Sequence, residues 1–593
     1  MQWTLNEIRS TPYSYTGPTD AYLKVNVNWR SISAYELFMM QLPLNELETW
    51  VRLTNTNLQN INKPKTNENE MKLFLGCILA CTQSSKVGGI KKAFCTTTDG
   101  LFPAQNLGRF GLRHRRFQFL MQCWEFADSH GIEHSDPYWK TEQLFHRFNL
   151  RYKNLVAHGK YVNVDERVFW CHIRAQPEGI KKIGRKPKGT GQECKTLSAV
   201  GVNVTTTFEH VQAKKSIITR PFNKDYGPAM AVVLRLVKAA GVEGTGRVII
   251  ADSWFANLAL HRGLRQLGLH LIGMIKQGDG GFCKKGLCLE LDKDEYKGRG
   301  SHVSAIAQIN GERVIALAWK GKSEKGKKGK NKYWKSTFLA SDCTTTLDGE
   351  PAEKKRHDKN GKRVASVYVK RPKLVEEYYN GMPGTDIVNR NAQYLIGIEE
   401  AVRTKDVFKR MACTVIGTWV VNAYGMACKW YPNDRKEDLT TQTFVSNIIL
   451  GGLFPKLCNQ QFTGTPNSQI SDVTNNTNTD VSTARSAPLA VTGLVQNTRG
   501  IDEEAVDPYV HTMRAFAELD DLKRQQRCVM CIAENRRSMT SYYCALCAVT
   551  ATREYDRKPT KHAYCINPKY QCFSRHIVNC YTFMNRTGKI MAQ

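Results

Sequence analysis

The sequence predicts a multidomain α/β protein, and three observations carry that prediction. The chain has 593 residues, too many for one hydrophobic core, and an allotment of roughly 100–200 residues per domain gives about three to five domains. Hydrophobic periodicity changes twice, from helical spacing to alternating runs near Lys160 and back to helical spacing after Gly384. Cysteine gathers at one end: of 19, twelve are scattered as far as Cys458 and seven crowd into the last 66 residues. Hydrophobic residues at 41%, with 10% aromatics, are enough to bury a core over most of the chain.

Residues 1–30 show no sustained period. Leu44, Leu47, Trp50, Val51 and Thr54 then follow helical spacing, and Met71 to Cys81 and Phe117 to Phe126 read as further helices, so 31–155 is expected to be a helical domain for dimerisation or DNA contact. From Tyr161 the pattern alternates: Tyr161 to Asp165, Leu197 to Val204 and His210 to Ile218 read as three strands in series. A helix over Pro228 to Ala240, a strand over Arg247 to Asp252, a helix over Asn257 to Leu267 and a strand over Leu269 to Ile275 complete the order β-β-β-α-β-α-β. That order implies a mixed sheet covered by helices, as in RNase H-like nucleotidyl transferases, with its first part over 156–276. Residues 277–370, rich in Gly and Lys with strands at Arg313 to Trp319 and Trp334 to Ala340, read as a β-rich insertion. The helical period of Val407, Phe408, Met411, Val415, Trp419 and Ala423 places the second part of the core over 371–463. Residues 464–500 have the composition of a disordered linker, and 501–593 form the cysteine-rich domain.

Lys and Arg number 85 against 54 Asp and Glu, a formal charge of +31, which favours a polyanionic partner, nucleic acid first. The densest apolar run, Leu73 to Cys81, is far short of the roughly 18 residues that span a bilayer, so no membrane is expected. The start, Met1-Gln2-Trp3-Thr4, lacks the basic and apolar regions of a secretory signal, which points to a reducing compartment where cysteines need a role other than disulfides.

Asp165 and Asp252 are expected at the ends of the first and fourth strands, emerging at one sheet edge. Asp386 follows Gly384-Thr385 at the start of a helix that Thr385 is placed to cap. Three converging acids repel unless cations neutralise them, and Mg²⁺, which takes oxygen ligands and keeps waters, suits such a site; a pair of ions steadies both oxygens of a phosphodiester exchange. Taken singly, each aspartate is as readily a turn or cap residue.

Three segments carry a family resemblance. Asn163-Val164-Asp165-Glu166 followed by Arg174 and Lys186-Pro187, then Ile250-Ala251-Asp252-Ser253-Trp254-Phe255, then Lys370-Arg371-Pro372-Lys373 through Tyr378 to Gly384-Thr385-Asp386 resemble, in order, the acid-bearing motifs of piggyBac transposases. The similarity runs from about Glu36 to about Trp430. It implies an RNase H-like core, cut-and-paste transposition through hairpin ends at TTAA targets, and Asp165, Asp252 and Asp386 as catalytic ligands of two Mg²⁺ ions. It also implies double-stranded DNA as partner, a homodimer that synapses two ends, and a nuclear location. Two departures stand out. Asn389 occupies the position of a further family Asp, offering an amide oxygen without charge, and Cys171-His172-Ile173-Arg174 replaces the usual Phe-Lys-Gly-Arg. A relative that binds DNA without cutting it, and a nuclease without strand transfer, are the rival readings.

In the tail, Cys528 and Cys531, Cys544 and Cys547, His562 and Cys565, and Cys572 and His576 form four closely spaced pairs, enough for two tetrahedral Zn²⁺ ions. By analogy with cross-brace domains, the first and third pairs share one ion and the second and fourth the other, with Cys580 as a substitute ligand. Arg174, Lys186, Lys188, Arg536 and Arg537 are candidate DNA contacts. The runs Lys181-Lys182 with Arg185-Lys186 and Lys325 to Lys332 suit phosphate contact, nuclear import or plain solvation equally.

Overall fold

The computed structural model describes residues 2–83, 89–97, 105–128, 138–171, 180–184, 189–211, 220–276, 281–325, 331–357, 363–402 and 404–455, with short strands at 513–515, 526–527, 539–540 and 542–544. The chain divides into two compact units, residues 1–96 with 105–460, and residues 97–104 with 461–593.

The first unit is organised by a ten-stranded sheet. Its strands are β1 (Thr4–Leu5), β2 (Tyr161–Trp170), β3 (Ile180–Lys182), β4 (Thr190–Ala199), β5 (Val204–His210), β6 (Val248–Ala251), β7 (His270–Met274), β8 (His302–Ile309), β9 (Glu312–Lys325) and β10 (Asn331–Ser341). They lie side by side as β1-β8-β9-β10-β7-β6-β2-β4, with β3 and β5 both paired to β4 on its far side. Only β2 with β6 and β6 with β7 are parallel; the other neighbours are antiparallel. Among β2, β4, β5, β6 and β7 the spatial order is therefore 3-2-1-4-5 in order of appearance, the hairpin-linked strands coming first and the crossover strands after them.

Several elements differ from the sequence reading. β2 continues five residues past Asp165, because Glu166 and Arg167, which look like the end of an alternating run, find partners inside the fold. The expected strand Leu197 to Val204 straddles the turn between β4 and β5, and β5 ends at His210, where the third strand was expected to begin; 212–219 lies outside the described residues. Segment 277–370, read as an insertion, contributes β8, β9 and β10 to the same sheet, docked through Phe338–Met274 and Ala340–Ile272 pairing. Its remaining strands, Ala352–His357 and Arg363–Val369, pair only with each other. The N-terminal Thr4–Leu5 adds to the edge at β8.

Helices cover both faces. On one lie α6 (Asn223–Ala240) and α7 (Leu258–Gln266), packed on Val162, Val164, Ile249 and Ala251. α6 begins earlier than its periodic part, with a break at Gly227, whose φ of 72° precedes Pro228. On the other face lie α8 (Lys373–Gly381), α9 (Pro383–Arg390) and α10 (Val407–Trp430). α10 starts where Asp406 accepts hydrogen bonds from the Phe408 and Lys409 amides at 2.9 and 3.2 Å. It is long and apolar enough by composition to cross a membrane, but 83% of that window is buried inside the fold. Its neighbours explain this. Helices α1 (Ala34–Met39), α2 (Glu46–Asn60), α3 (Glu68–Gln83), α4 (His114–Cys123) and α5 (Trp139–Leu155) share one core with it, in which Trp50 packs against Trp124 and Trp419 at ring-centroid distances of 5.2 and 6.2 Å.

In the second unit, Met513–Ala515 pairs with Tyr542–Cys544 and Gln526–Arg527 with Met539–Thr540, all antiparallel.

Candidate active site

The site begins with register. β2 and β6 run parallel with Val164 opposite Ala251, and the residue that follows each of these is an aspartate, Asp165 on β2 and Asp252 just past the end of β6. Side-chain alternation then fixes the face. On β2, Asn163 Oδ1 accepts the Thr385 amide of α9 at 3.1 Å and Arg167 Nη1 donates to Thr418 Oγ1 of α10 at 2.8 Å, so Asp165, between them, shares the α9 and α10 face. On β6, Ile250 packs beneath α8, and Asp252, two residues on, continues that side. Close approach there requires a glycine: a Cβ at Gly381 would lie 2.7 Å from Ile250 Cγ1. Because β6 stops at Ala251 while β2 runs on to Trp170, the two carboxylates sit at a step in the sheet.

Electrostatics agree with this placement. Asp165 is 9% exposed and accepts the Glu166 amide at 2.7 Å, and Asp252 accepts the Trp254 amide at 2.9 Å. Burial pushes the Asp252 carboxyl above the ordinary carboxylate range, the Glu166 charge adds to the rise, and the Trp254 amide and Lys195 oppose it. Buried Tyr378, on α8, is raised first by desolvation and then by the charges of Asp252 and Asp165, which sets both acids near its hydroxyl. A gathering of acids this costly to ionise is the donor chemistry that a hard divalent cation relieves.

Asp386 is placed differently from its two partners. It is exposed, in the first turn of α9. Thr385 does not cap that helix: Met382 before it is itself helical, and Pro383 lets α9 follow α8 almost without interruption. Thr385 instead ties α9 to the sheet, its hydroxyl 2.9 Å from Ser198 Oγ and its amide on Asn163. Asn389 and Gln393 continue the same face, donating to the Glu166 and Val168 carbonyls at 3.4 and 3.1 Å. The Asn389 Oδ1 is buried and has no hydrogen-bond partner among the described residues, a free oxygen donor on the helix that carries Asp386. Among the described residues no three His, Cys, Asp or Glu side chains stand close enough to hold a metal ion, so the aspartates are a pair plus a separate third.

Lys195 is the site residue that sequence reading missed. Its ammonium is almost fully buried, 2.6 Å from Glu193 and 3.5 Å from Glu166, and 3.6 Å from the centre of the Trp254 ring. The available signal was its parity with Leu197 and Ala199, which marks an inward position for a charged residue. Arg174, Lys186, Lys188, Arg536 and Arg537 lie outside the described residues, as do Cys528, Cys531, Cys547, His562, Cys565, Cys572 and His576; of Cys544 only the backbone, in its strand, is described.

A family profile described as Transposase IS4 matches residues 33–424. The chain belongs to that transposase family. Among solved structures it is similar to a piggyBac transposase in a synaptic complex with hairpin DNA, determined by cryo-electron microscopy, with a TM-score of 0.52 and 15% identity over 72% of this chain and 81% of that one. The likeness is one of fold, a mixed α/β architecture around a large central sheet. A comparison with curated proteins finds no match.

Proposed function

We propose that this chain cuts and rejoins DNA as a cut-and-paste transposase of piggyBac type, using Asp165, Asp252 and Asp386 with two Mg²⁺ ions. The observation that carries the reading is the parallel register that sets Asp165 and Asp252 directly after the paired Val164 and Ala251, with Asp165 on the face covered by α9. The mixed sheet covered by helices, the arrangement expected of an RNase H-like core, supports it. Bound Mg²⁺ would lower the pKa of a water nucleophile and neutralise charge on the phosphodiester. Asp165 and Asp252 would hold one side of the metal site, with Asp386 and the Asn389 amide oxygen contributing from α9. Thr385 and Asn389 fix that helix on β2, and Gln393, just past its end, adds a third contact, so the third carboxylate is presented from a rigid element.

Double-stranded transposon ends and TTAA targets follow as substrates, with a homodimer holding two ends, and chromosomal DNA as substrate makes the nucleus the working compartment. The test is nicking of supercoiled DNA carrying the element's own inverted repeats: Mg²⁺-dependent cleavage by the wild type, and its loss with DNA binding retained in Asp165→Ala, Asp252→Ala and Asp386→Ala, is the expected result. A second reading, a DNA-binding relative without cleavage, draws on the exposed Asp386 and on Asn389 in place of an acid. Binding without nicking by the wild type would select it.

The four ligand pairs between Cys528 and His576 support a second metal role, two structural Zn²⁺ ions in the cysteine-rich tail, with Arg536 and Arg537 meeting DNA backbone. Elemental analysis of the full chain should find about two Zn per protomer. A value near zero removes the zinc reading and leaves the aspartate site untouched.

A further inference from the structure

Trp254 is exposed, at 46%, where most of the described tryptophans are buried or half-buried. It stands two residues beyond Asp252, and it is not a loose side chain. Its backbone is held in a turn by its own amide bond to Asp252 Oδ1 at 2.9 Å and by the Phe255 and Ala256 amides, which donate to the Asp252 carbonyl at 3.2 and 2.9 Å. One ring face rests on the Lys195 ammonium, 3.6 Å from the ring centre, and Lys195 is itself clamped by Glu193 and Glu166. The buried Phe255 ring abuts it edge-on at 4.7 Å and 83°. A ring fixed on one face and at one edge, yet nearly half exposed, offers its remaining face to solvent.

We infer that this face is a stacking platform for an unpaired DNA base beside Asp252. The inference rests on the proposed DNA-cutting function and specifies the form of DNA the site takes. In a duplex both faces of each base are covered by neighbours, so only a base out of its stack can use an isolated indole, and every base has a π-face to present. The surrounding charge suits the strand that would carry it. β3, paired to the same β4 that carries Lys195, presents exposed Lys181 and Lys182, and the chain as a whole carries +31.

The experiment uses the full-length protein without added Mg²⁺ and two DNA probes, a fully paired duplex and the same duplex with one unpaired 2-aminopurine, read by 2-aminopurine fluorescence and by affinity. The wild type is expected to quench the unpaired base and to prefer that probe about tenfold, the size of one stacked base. Trp254→Ala should lose both the quench and the preference while binding the paired duplex as before, and Trp254→Phe should keep most of each. Quenching by Trp254→Ala equal to wild type, or wild-type binding to both probes without preference, overturns the inference and leaves the DNA-cutting reading standing. Failure of the wild type to bind either probe overturns both.

Discussion

Two clusters of buried charge in this molecule are built on opposite plans. In the helical part, the Glu46 carboxylate takes both terminal bonds of Arg147, from Nε and Nη2 at 2.7 Å each, and the Trp50 indole N–H at 2.8 Å, while Arg147 also reaches the Phe126 carbonyl. Charge is matched one to one, although the Trp124 and Trp419 indole N–H groups packed on Trp50 are buried without partners among the described residues. At the sheet step, Asp165 and Asp252 follow the paired Val164 and Ala251, while on the opposite face of β2 Glu166 and, with it, Glu193 share Lys195, and carboxylates outnumber cations. Nearby, Asn389 Oδ1 and the Arg167 Nε and Nη2 atoms are buried without hydrogen-bond partners among the described residues. A closed cluster holds a fold together; an open one, kept at a cost in stability, has capacity for something the chain alone does not supply.

The contrast is sharpest as a double dissociation. Asp252→Asn removes a charge that the folded state disfavours. The sign follows from linkage: a carboxyl raised in the folded protein keeps its proton to higher pH than in the unfolded chain, so stability falls as pH rises from the ordinary carboxylate range through the raised value, and at neutral pH the ionised group is a net cost. Asp252→Asn should therefore hold or raise the thermal midpoint at pH 7, while Mg²⁺-dependent nicking drops about a thousandfold, since a metal ligand contributes several kcal/mol to the transition state. A melting point lowered by this variant would contradict the open-cluster description.

Glu46→Ala should behave in the opposite way. It leaves the Arg147 guanidinium partly buried without its counter-ion, a loss of about 3–5 kcal/mol in unfolding free energy, read by urea denaturation. The folded fraction should nick DNA at the wild-type specific rate. A fall in specific activity at full folding would mean the helical core and the sheet step are coupled.

How much of this was legible depends on the range of the interaction. The run Arg247 to Asp252 announces a buried strand closing on an acid, and the structure has the strand over Val248–Ala251, with Asp252 the first residue after it. α10 was equally plain from its periodic apolar residues. Asp165 was found but placed at a strand end, because nothing local reveals that Arg167 meets Thr418 or that Glu166 meets Lys195. Docking of β10 on β7 likewise depends on pairing across more than sixty residues, Phe338 to Met274, and hydrophobic pattern carries no register at that distance. Thr385 read as a cap because Gly384-Thr385-Asp386 has the composition of one; the preceding helix, which makes a cap unnecessary, is visible only in three dimensions.

Closed packing also makes a prediction about acid. His158, His210, His261 and His270 are held at about 3, 3, 4 and 3 by burial first, with neighbouring arginines adding. Each stays neutral in the fold and takes a proton on unfolding, so stability is complete above the ordinary histidine value near 6.5 and is lost as pH falls below it toward these depressed values. His210 isolates the effect, stacked at 4.3 Å on Phe145 and 5.6 Å on Tyr138, with neither ring nitrogen hydrogen-bonded among the described residues. Between pH 7.5 and 5 the wild type should lose about 2 kcal/mol more than His210→Phe, one and a half pH units of linkage, measured as the change in urea midpoint for each protein. Equal losses would mean that His210 is protonated in the folded state.

The smallest effect tests the open end of the comparison. Asn389 sits where its amide nitrogen donates to the Glu166 carbonyl, so its oxygen is turned away from that bond and left buried without a partner. If that oxygen supports a cation held by Asp165 and Asp252, removing it should weaken metal binding by about tenfold, the lower end of what supporting groups around a metal contribute. Restoring a charge at the same position should tighten it. Mg²⁺ titration of nicking should thus give a higher half-saturation for Asn389→Ala and a lower one for Asn389→Asp, with maximal rates changed less than the half-saturation points. Position and charge are separated by the pair: a merely structural Asn389 would lose the anchor to β2 in both variants and shift both in the same direction, because an aspartate cannot donate to the Glu166 carbonyl either. Opposite shifts therefore identify the oxygen as a participant, and parallel shifts confine Asn389 to holding α9 against the sheet.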